Sequence, residues 1–224
     1  MKRVLWLFLL LAGSAFGQEG RHCDQAMFWQ NADLLSARVD IASENKAYFY
    51  GDIDACLKND DFSCKTKTYL LDGDELVISD NYIVYIHDEY MHFNCAWFSG
   101  KSGITVGWLE SSMLEPLFNP NLEYEDLLGH WQYGQNDIYL SKSHFSDDIL
   151  IEAMAIWQGS NNNIHFGELY EKAAIYNRRL VFDDEYGCHL ELTFLGGAYL
   201  TAKDNKHCGG VNVSFDGVYK RLSK

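Results

Sequence analysis

Residues 67–79, KTYLLDGDELVIS, contain two apolar-rich runs on either side of Asp72-Gly73-Asp74. Glycine favours a tight turn because it adopts positive φ without steric cost, and aspartate accepts hydrogen bonds from the turn backbone. Short apolar runs bounded by such residues are typical of β-strands. This stretch therefore predicts two strands joined by a turn.

The same pattern extends in both directions from this turn. Further predicted strands are KAYFY (46–50), NYIVYIHDEY (81–90), CAWFS (95–99) and TVGWLESSML (105–114). Before them, residues 21–45 have a weakly helical spacing of apolar residues, and we expect a short helical N-terminal segment. After them, residues 116–127 contain both prolines of the chain, Pro116 and Pro120, which predicts a linker.

The second half of the chain also predicts strands. They are GHWQYG (129–134), DIYLSK (137–142), ILIEAMAIW (149–157), NIHFGELY (163–170), RRLVF (178–182), CHLELTFL (188–195), AYLTAK (198–203) and VNVSFDGVYKR (211–221). Many short strands separated by turn residues are typical of an antiparallel β-barrel or sandwich. We therefore predict an all-β protein.

Three pieces of residues 46–115 carry a resemblance to a known domain. They are Ala47-Tyr48-Phe49-Tyr50, the turn segment from Tyr69 to Leu76, and Gly107-Trp108-Leu109. Together they resemble the bacterial SH3-like domain of exported proteins, which implies a small barrel with an aromatic peptide-binding groove. The candidate groove residues are Tyr48, Tyr50, Tyr69, Trp97 and Trp108. Core packing is the alternative for most of these rings, and we expect about two of the five to be exposed.

The C-terminal piece from Asp204 to Tyr219, DNKHCGGVNVSFDGVY, is similar to the ending of a family of small exported bacterial β-domains. That resemblance brings no assigned activity. The predicted organisation is a signal peptide (1–17), an N-terminal segment (18–45), the SH3-like domain (46–115), the linker (116–127) and a C-terminal antiparallel β-domain (128–224).

The N-terminus has the three parts of an export signal. Lys2 and Arg3 precede the apolar run Val4 to Ala12, and small residues follow it. The run is too short to span a bilayer as a helix, and the expected cleavage point follows Gly17. An N-terminal core helix is the alternative. We predict a periplasmic or secreted protein with no membrane span.

All six cysteines follow this signal, and an even number in an exported chain predicts disulfides. Six cysteines allow fifteen connectivities. Position in the chain favours Cys188 with Cys208 and Cys56 with Cys64, which leaves Cys23 for Cys95. Zinc is the alternative, but no C-x-x-C motif or Cys/His pair has ligand spacing, so we expect no metal and no cofactor.

The chain has 18 basic and 32 acidic residues, a formal charge of −14. Removal of residues 1–17 takes away two of the basic residues and leaves −16. Such a charge favours cationic partners and disfavours nucleic acid and anionic lipid, which require a basic surface.

Enzyme signatures are absent from the sequence: it has no G-x-S-x-G, H-E-x-x-H, phosphate-binding glycine loop or dinucleotide fingerprint. Weaker candidates are a metal pair at His87 and His92, paired carboxylates at Glu152 and Glu191, and an acidic loop at 183–185. Surface positions and a hairpin tip are the simpler interpretations. We predict no catalytic residues.

The expected function is that of an exported non-enzymatic binding protein whose partner is an envelope protein, a peptide or a peptidoglycan fragment. Two alternatives remain. One is an acidic inhibitor of a cationic cell-wall hydrolase such as lysozyme, because opposite charge accelerates association. The other is an enzyme with an unrecognised site.

Overall fold

The computed structural model describes residues 23–25, 33–43, 45–51, 53, 64–86, 88–101, 103–117, 123–143 and 148–223. The predicted signal peptide lies outside these residues. The elements within them are sixteen strands and three short 3-10 helices, arranged in two curled antiparallel sheets. The all-β prediction is therefore confirmed.

The first sheet has the strand order β3-β2-β6-β5-β4-β1-β7. Its strands are β1 (Leu35–Val39), β2 (Ala47–Tyr50), β3 (Lys65–Leu70), β4 (Glu75–Ile86), β5 (Glu89–Gly100), β6 (Gly103–Glu110) and β7 (Leu114–Pro116). A 3-10 helix, Ser111–Met113, joins β6 to β7. One face of the sheet buries a core that includes Phe49, Leu76 and Leu109.

Two parts of this sheet differ from the sequence prediction. Gln25 is helical and residues 26–32 lie outside the described ones, but residues 35–39 form strand β1 instead of a helix. Pairing with β4 and β7 outweighs the weak helical spacing, because tertiary context decides such short segments. Pro116, predicted to lie in a linker, ends edge strand β7, a position where proline is tolerated.

The predicted turn between β3 and β4 is present. Gly73 has a φ of +82°, and the Leu71 N–H donates to Asp74 Oδ2 at 2.8 Å. A second turn divides the segment 81–90, whose alternation predicted one continuous strand. Asp88 adopts a φ of +65° there, so β4 and β5 form a long hairpin.

The second sheet has the order β11-β10-β9-β8-β16-β15-β14-β13-β12. Its strands are β8 (Gly129–Tyr133), β9 (Asn136–Lys142), β10 (Ile149–Gln158), β11 (Ile164–Ala173), β12 (Ile175–Tyr176), β13 (Arg179–Asp183), β14 (His189–Gly196), β15 (Tyr199–Asp204) and β16 (Gly217–Ser223). Side chains such as Trp131, Leu192 and Phe215 fill its interior.

Strand β16 begins at Gly217, six residues later than the sequence pattern predicts. The buried carboxylate of Asp204 explains this difference. It accepts hydrogen bonds from the backbone N–H of Lys206, at 2.7 Å, and of Phe215. These bonds hold residues 205–216 as a compact loop in which Asn212 has a φ of +67°.

The two sheets share a third core, which we call the shared core. The first sheet contributes Val77, Trp97 and Trp108, and the second contributes Leu195, Tyr199 and Val218. Around it, Ser36 Oγ donates to the Gly196 carbonyl at 2.8 Å, and the Ala198 N–H donates to Glu75 Oε2 at 3.1 Å. The sheets therefore pack against each other through apolar contacts and through specific hydrogen bonds.

Two of the expected disulfides are present. Cys23 is bonded to Cys95, with Cα atoms 5.4 Å apart, and Cys188 is bonded to Cys208, with Cα atoms 4.5 Å apart. Cys64 is also disulfide-bonded, and Cys56, its expected partner, lies outside the described residues. The first bond fixes the start of the described chain to β5, and the second fixes the 205–216 loop to Cys188, the residue directly before β14.

Candidate functional site

Three of the five predicted groove aromatics are buried. Trp97, Trp108 and Tyr50 are 1%, 2% and 9% exposed, and all three belong to the shared core. The register places them on one face of the first sheet, where Trp108 is opposite both Tyr50 and Cys95. That face is aromatic as predicted, but packing occupies these three rings.

The second sheet covers much of this face. The Tyr199 ring meets the Trp97 ring edge to face, with centroids 6.0 Å apart. Tyr50 packs in the same way against Phe93, at 5.4 Å, and its burial raises the pKa of its hydroxyl. The part of the predicted groove around Trp97 is therefore filled by the protein itself.

Tyr48 and Tyr69, the other two candidate groove residues, are not members of the shared core. They are direct register partners on β2 and β3, and their ring centroids are 5.6 Å apart. Tyr69 is 41% exposed, and Tyr48 is half-buried. Of the five candidates, Tyr69 is therefore exposed and Tyr48 is partly exposed.

Two lysines complete this arrangement. Lys65 Nζ lies 4.2 Å from the centroid of the Tyr48 ring, and Lys46 Nζ lies 3.9 Å from that of Tyr69. At such distances an ammonium group is attracted to the face of the ring. We call Lys46, Tyr48, Lys65 and Tyr69 the tyrosine–lysine cluster.

The cluster is positioned by an edge strand. Strand β3 pairs with β2 on one side and lies at the edge of its sheet, and its residues 65–69 are all exposed. Lys65, Lys67 and Tyr69 alternate with threonines, and across a register shift Lys65 lies opposite Tyr50 and Tyr69 lies opposite Tyr48. The alternation in KTKTY could have identified Lys65 as a candidate binding residue from the sequence.

The arrangement has a clear chemical preference. The ammonium groups supply charge and hydrogen-bond donors for carboxylates. The tyrosine rings supply rigid apolar area with a polar tip, which suits peptides and sugars. In a chain with a formal charge of −14, this is a local cationic aromatic patch.

The weaker sequence candidates do not form sites among the described residues. Glu191 pairs with Arg179 at 3.3 Å, and four strands separate its strand from that of Glu152. Asp184 accepts hydrogen bonds from two backbone N–H groups, those of Tyr186 and Cys188, so it closes a hairpin tip. His92 is exposed, and His87 lies outside the described part of the chain.

Sequence reasoning missed a groove on the outer face of the second sheet. It has a volume of about 600 Å³ and is lined by side chains of β9, β10 and β11, among them Tyr139, Glu152, Met154 and Tyr170. Alternation in these strands could have predicted that odd-numbered residues of β9 and even-numbered residues of β10 and β11 face outward. It could not show which of them become neighbours across strands.

No family model, curated protein or solved structure matches this chain. Within the described residues, no group of three or more His, Cys, Asp or Glu side chains is arranged to hold a metal ion. The same residues form no helix with the length and apolar character needed to cross a membrane.

Proposed function

We propose that this protein is an exported, non-enzymatic binding protein whose SH3-like module docks a peptide or a cell-wall fragment in the envelope. The observation that carries the proposal is the tyrosine–lysine cluster, two solvent-accessible rings with an ammonium group over each. A ligand with carboxylates and apolar or sugar surface complements both parts of the cluster.

Several features support the wider proposal. The disulfides at Cys23 and Cys188 are of the kind that persists in oxidising compartments such as the periplasm. The tight turn at Gly73 and the burial of Trp108 support the proposed SH3-like module, because both residues belong to the sequence pieces that resemble that domain.

Peptidoglycan fragments are the first probe, because they carry both sugar rings and peptide carboxylates. The full chain beginning at Gln18 should be immobilised and exposed to soluble fragments released from purified wall material. The isolated 46–115 segment is unsuitable, because β1 and β7 complete its sheet and the second sheet covers one face. Bound material is then measured by mass spectrometry.

We expect the parent protein to retain fragments and the double variant Tyr69→Ala/Lys65→Ala to retain about tenfold less. Tyr176→Ala is the matched control, because Tyr176 is also an exposed strand tyrosine, 76% accessible, but lies in the second sheet. Envelope protein extract, tested in the same way, separates a peptide partner from a wall partner. Failure to retain either, or equal loss in the control, would refute docking at this cluster.

Inhibition of a cationic cell-wall hydrolase is the second candidate function. The observation that favours it is the excess of 32 acidic over 18 basic residues, together with the outward-facing carboxylates of the second-sheet groove. The test is lysis of a cell-wall suspension by lysozyme with and without the protein in molar excess. An unchanged lysis rate would remove this function and leave the docking proposal intact.

A further inference from the structure

The groove on the second sheet is built from cross-strand rows of side chains. In one row, Glu152 on β10 is opposite Tyr139 on β9 and Tyr170 on β11. Direct antiparallel partners have Cβ atoms about 4.5–5.5 Å apart. A carboxylate therefore stands between two tyrosines, of which Tyr139 is 47% and Tyr170 is 69% exposed.

The next row reverses this order. Met154 is opposite Asp137 on one side and Glu168 on the other, so a methionine stands between two carboxylates. Neighbouring residues on β11 extend the apolar surface, since Phe166 is 53% exposed. Aromatic rings, a methionine and three carboxylates thus alternate on one open surface.

One wall of the groove is held rigidly. The His130 ring stacks on Tyr139 with centroids 4.1 Å apart and an interplanar angle of 13°. His130 Nε2 also lies 2.6 Å from Asp137 Oδ1, and Gln132 donates to the same oxygen at 3.2 Å. The ring and the carboxylate on this side are therefore oriented before any ligand arrives.

The other two carboxylates are not neutralised within the described part of the chain. Neither Glu152 nor Glu168 has an ion pair or a hydrogen bond there, and both are exposed. A cation that approaches Glu152 also meets the two flanking tyrosines, which attract it through their ring faces. The negative charge of the carboxylates and the neighbouring aromatic rings thus both favour a cationic ligand.

We infer that this groove is a docking surface for a lysine- or arginine-bearing segment of a cationic polypeptide. A basic side chain places its charged head against Glu152 and its alkyl stem along Met154 and the rings. The site is separate from the tyrosine–lysine cluster and opposite to it in charge. The inference does not depend on the docking function. It identifies the surface with which the protein would bind a cationic hydrolase under the second candidate function.

The first test uses hexalysine with a fluorescent label and measures its anisotropy on binding to the full chain at low salt. We expect Glu152→Gln/Glu168→Gln to weaken binding by about tenfold or more, and Tyr170→Ala to weaken it severalfold. The matched control is Glu125→Gln/Glu185→Gln, which changes the charge equally at exposed acidic residues outside the groove.

Absence of hexalysine binding would overturn the inference. Equal weakening in both double variants would also overturn it, because binding would then depend only on the overall charge of the protein. Binding that is insensitive to Tyr170→Ala would also contradict the aromatic part of the site. Circular dichroism of each variant checks that the fold is retained.

A second test measures lysozyme binding and cell-wall lysis with the same variants. If hexalysine binds in the groove but the protein does not slow lysis, this inference is supported and the inhibitor function is refuted. If the Glu152→Gln/Glu168→Gln variant still inhibits lysis, the inhibitor function is supported, but the groove is not the surface responsible for it.

Discussion

Tyr199 joins the two sheets through a single side chain. Its ring is fully buried in the shared core, and its hydroxyl donates to the Glu75 carbonyl at 2.8 Å. Burial raises the pKa of this phenol above its ordinary value of about 10, and the carboxylates of Glu75 and Asp74 raise it further. The native protein therefore keeps a proton that the unfolded chain loses in alkali.

This difference predicts a loss of stability above pH 10. Below that pH both states hold the proton. Above it the native state binds more protons than the unfolded state, so the free energy of unfolding falls as pH rises. The slope reaches about 1.4 kcal/mol per pH unit for one such tyrosine. Guanidinium unfolding at pH 8 and pH 11, followed by tryptophan fluorescence, measures the decrease.

Tyr199→Phe should lower stability at pH 8 by about 1 kcal/mol, because one hydrogen bond is lost, but should show a smaller decrease between pH 8 and pH 11. Tyr186→Phe is the control, since its ring is 85% exposed and should leave the pH dependence unchanged. A Tyr199→Phe protein that loses as much stability as the parent would contradict the assignment to this phenol.

At the scale of elements, the loop after β15 lies directly against β11. A Cβ at Gly167 would stand 2.8 Å from the Cys208 carbonyl oxygen and 3.0 Å from Gly209 Cα. Both are backbone atoms, so they cannot move aside as a flexible side chain would. The Cys188–Cys208 disulfide holds this loop in position, and the close approach therefore requires glycine.

We predict that Gly167→Ala lowers the free energy of unfolding by about 1–3 kcal/mol, the usual cost of overpacking. Gly51→Ala is the matched control, because the nearest atom to its Cβ would be the Cys64 carbonyl oxygen at 3.8 Å. It should change stability by no more than about 0.5 kcal/mol. Equal effects in thermal unfolding would show that the loop yields to the added methyl group.

The elements also show how far sequence patterns extend. Alternation and turn residues predicted the strands of the second sheet except the two-residue β12, and also the Gly73 turn, because these signals are local. They missed β1 and the hairpin turn at Asp88, because partner strands distant in sequence decide both. Of the predicted groove, Tyr48 and Tyr69 lie at the surface, whereas Trp97 is covered by Tyr199, a contact between residues about a hundred positions apart in the chain.

On the scale of the whole molecule, each sheet buries side chains of the other in the shared core. Removal of either sheet would expose Trp97 or Tyr199, both of which are at most 1% accessible. The Glu75 carboxylate adds a hydrogen bond to the Ala198 N–H across the boundary. Division of the chain into two independent folding units would therefore be unfavourable.

We predict a single cooperative unfolding transition for the full chain in differential scanning calorimetry, with equal calorimetric and van't Hoff enthalpies. Glu75→Ala should lower stability by about 1–2 kcal/mol and keep the transition single, because a hydrogen bond to a charged group is lost. Glu185→Ala, at an exposed position, serves as the control. Two resolved transitions in the parent protein would refute the coupling of the sheets.

Among the described strands, β3 has a neighbour on one side only, and this edge has a consequence for molecules at high concentration. A free strand edge can pair with the same edge of a second copy and extend the sheet from one molecule to the next. Two copies that met along β3 would bring Lys65 and Lys67 of each chain together across a spacing of about 4.8 Å. Repulsion between these four ammonium groups would oppose fibre-like growth, so Lys65, which belongs to the cluster, would also hinder pairing between copies.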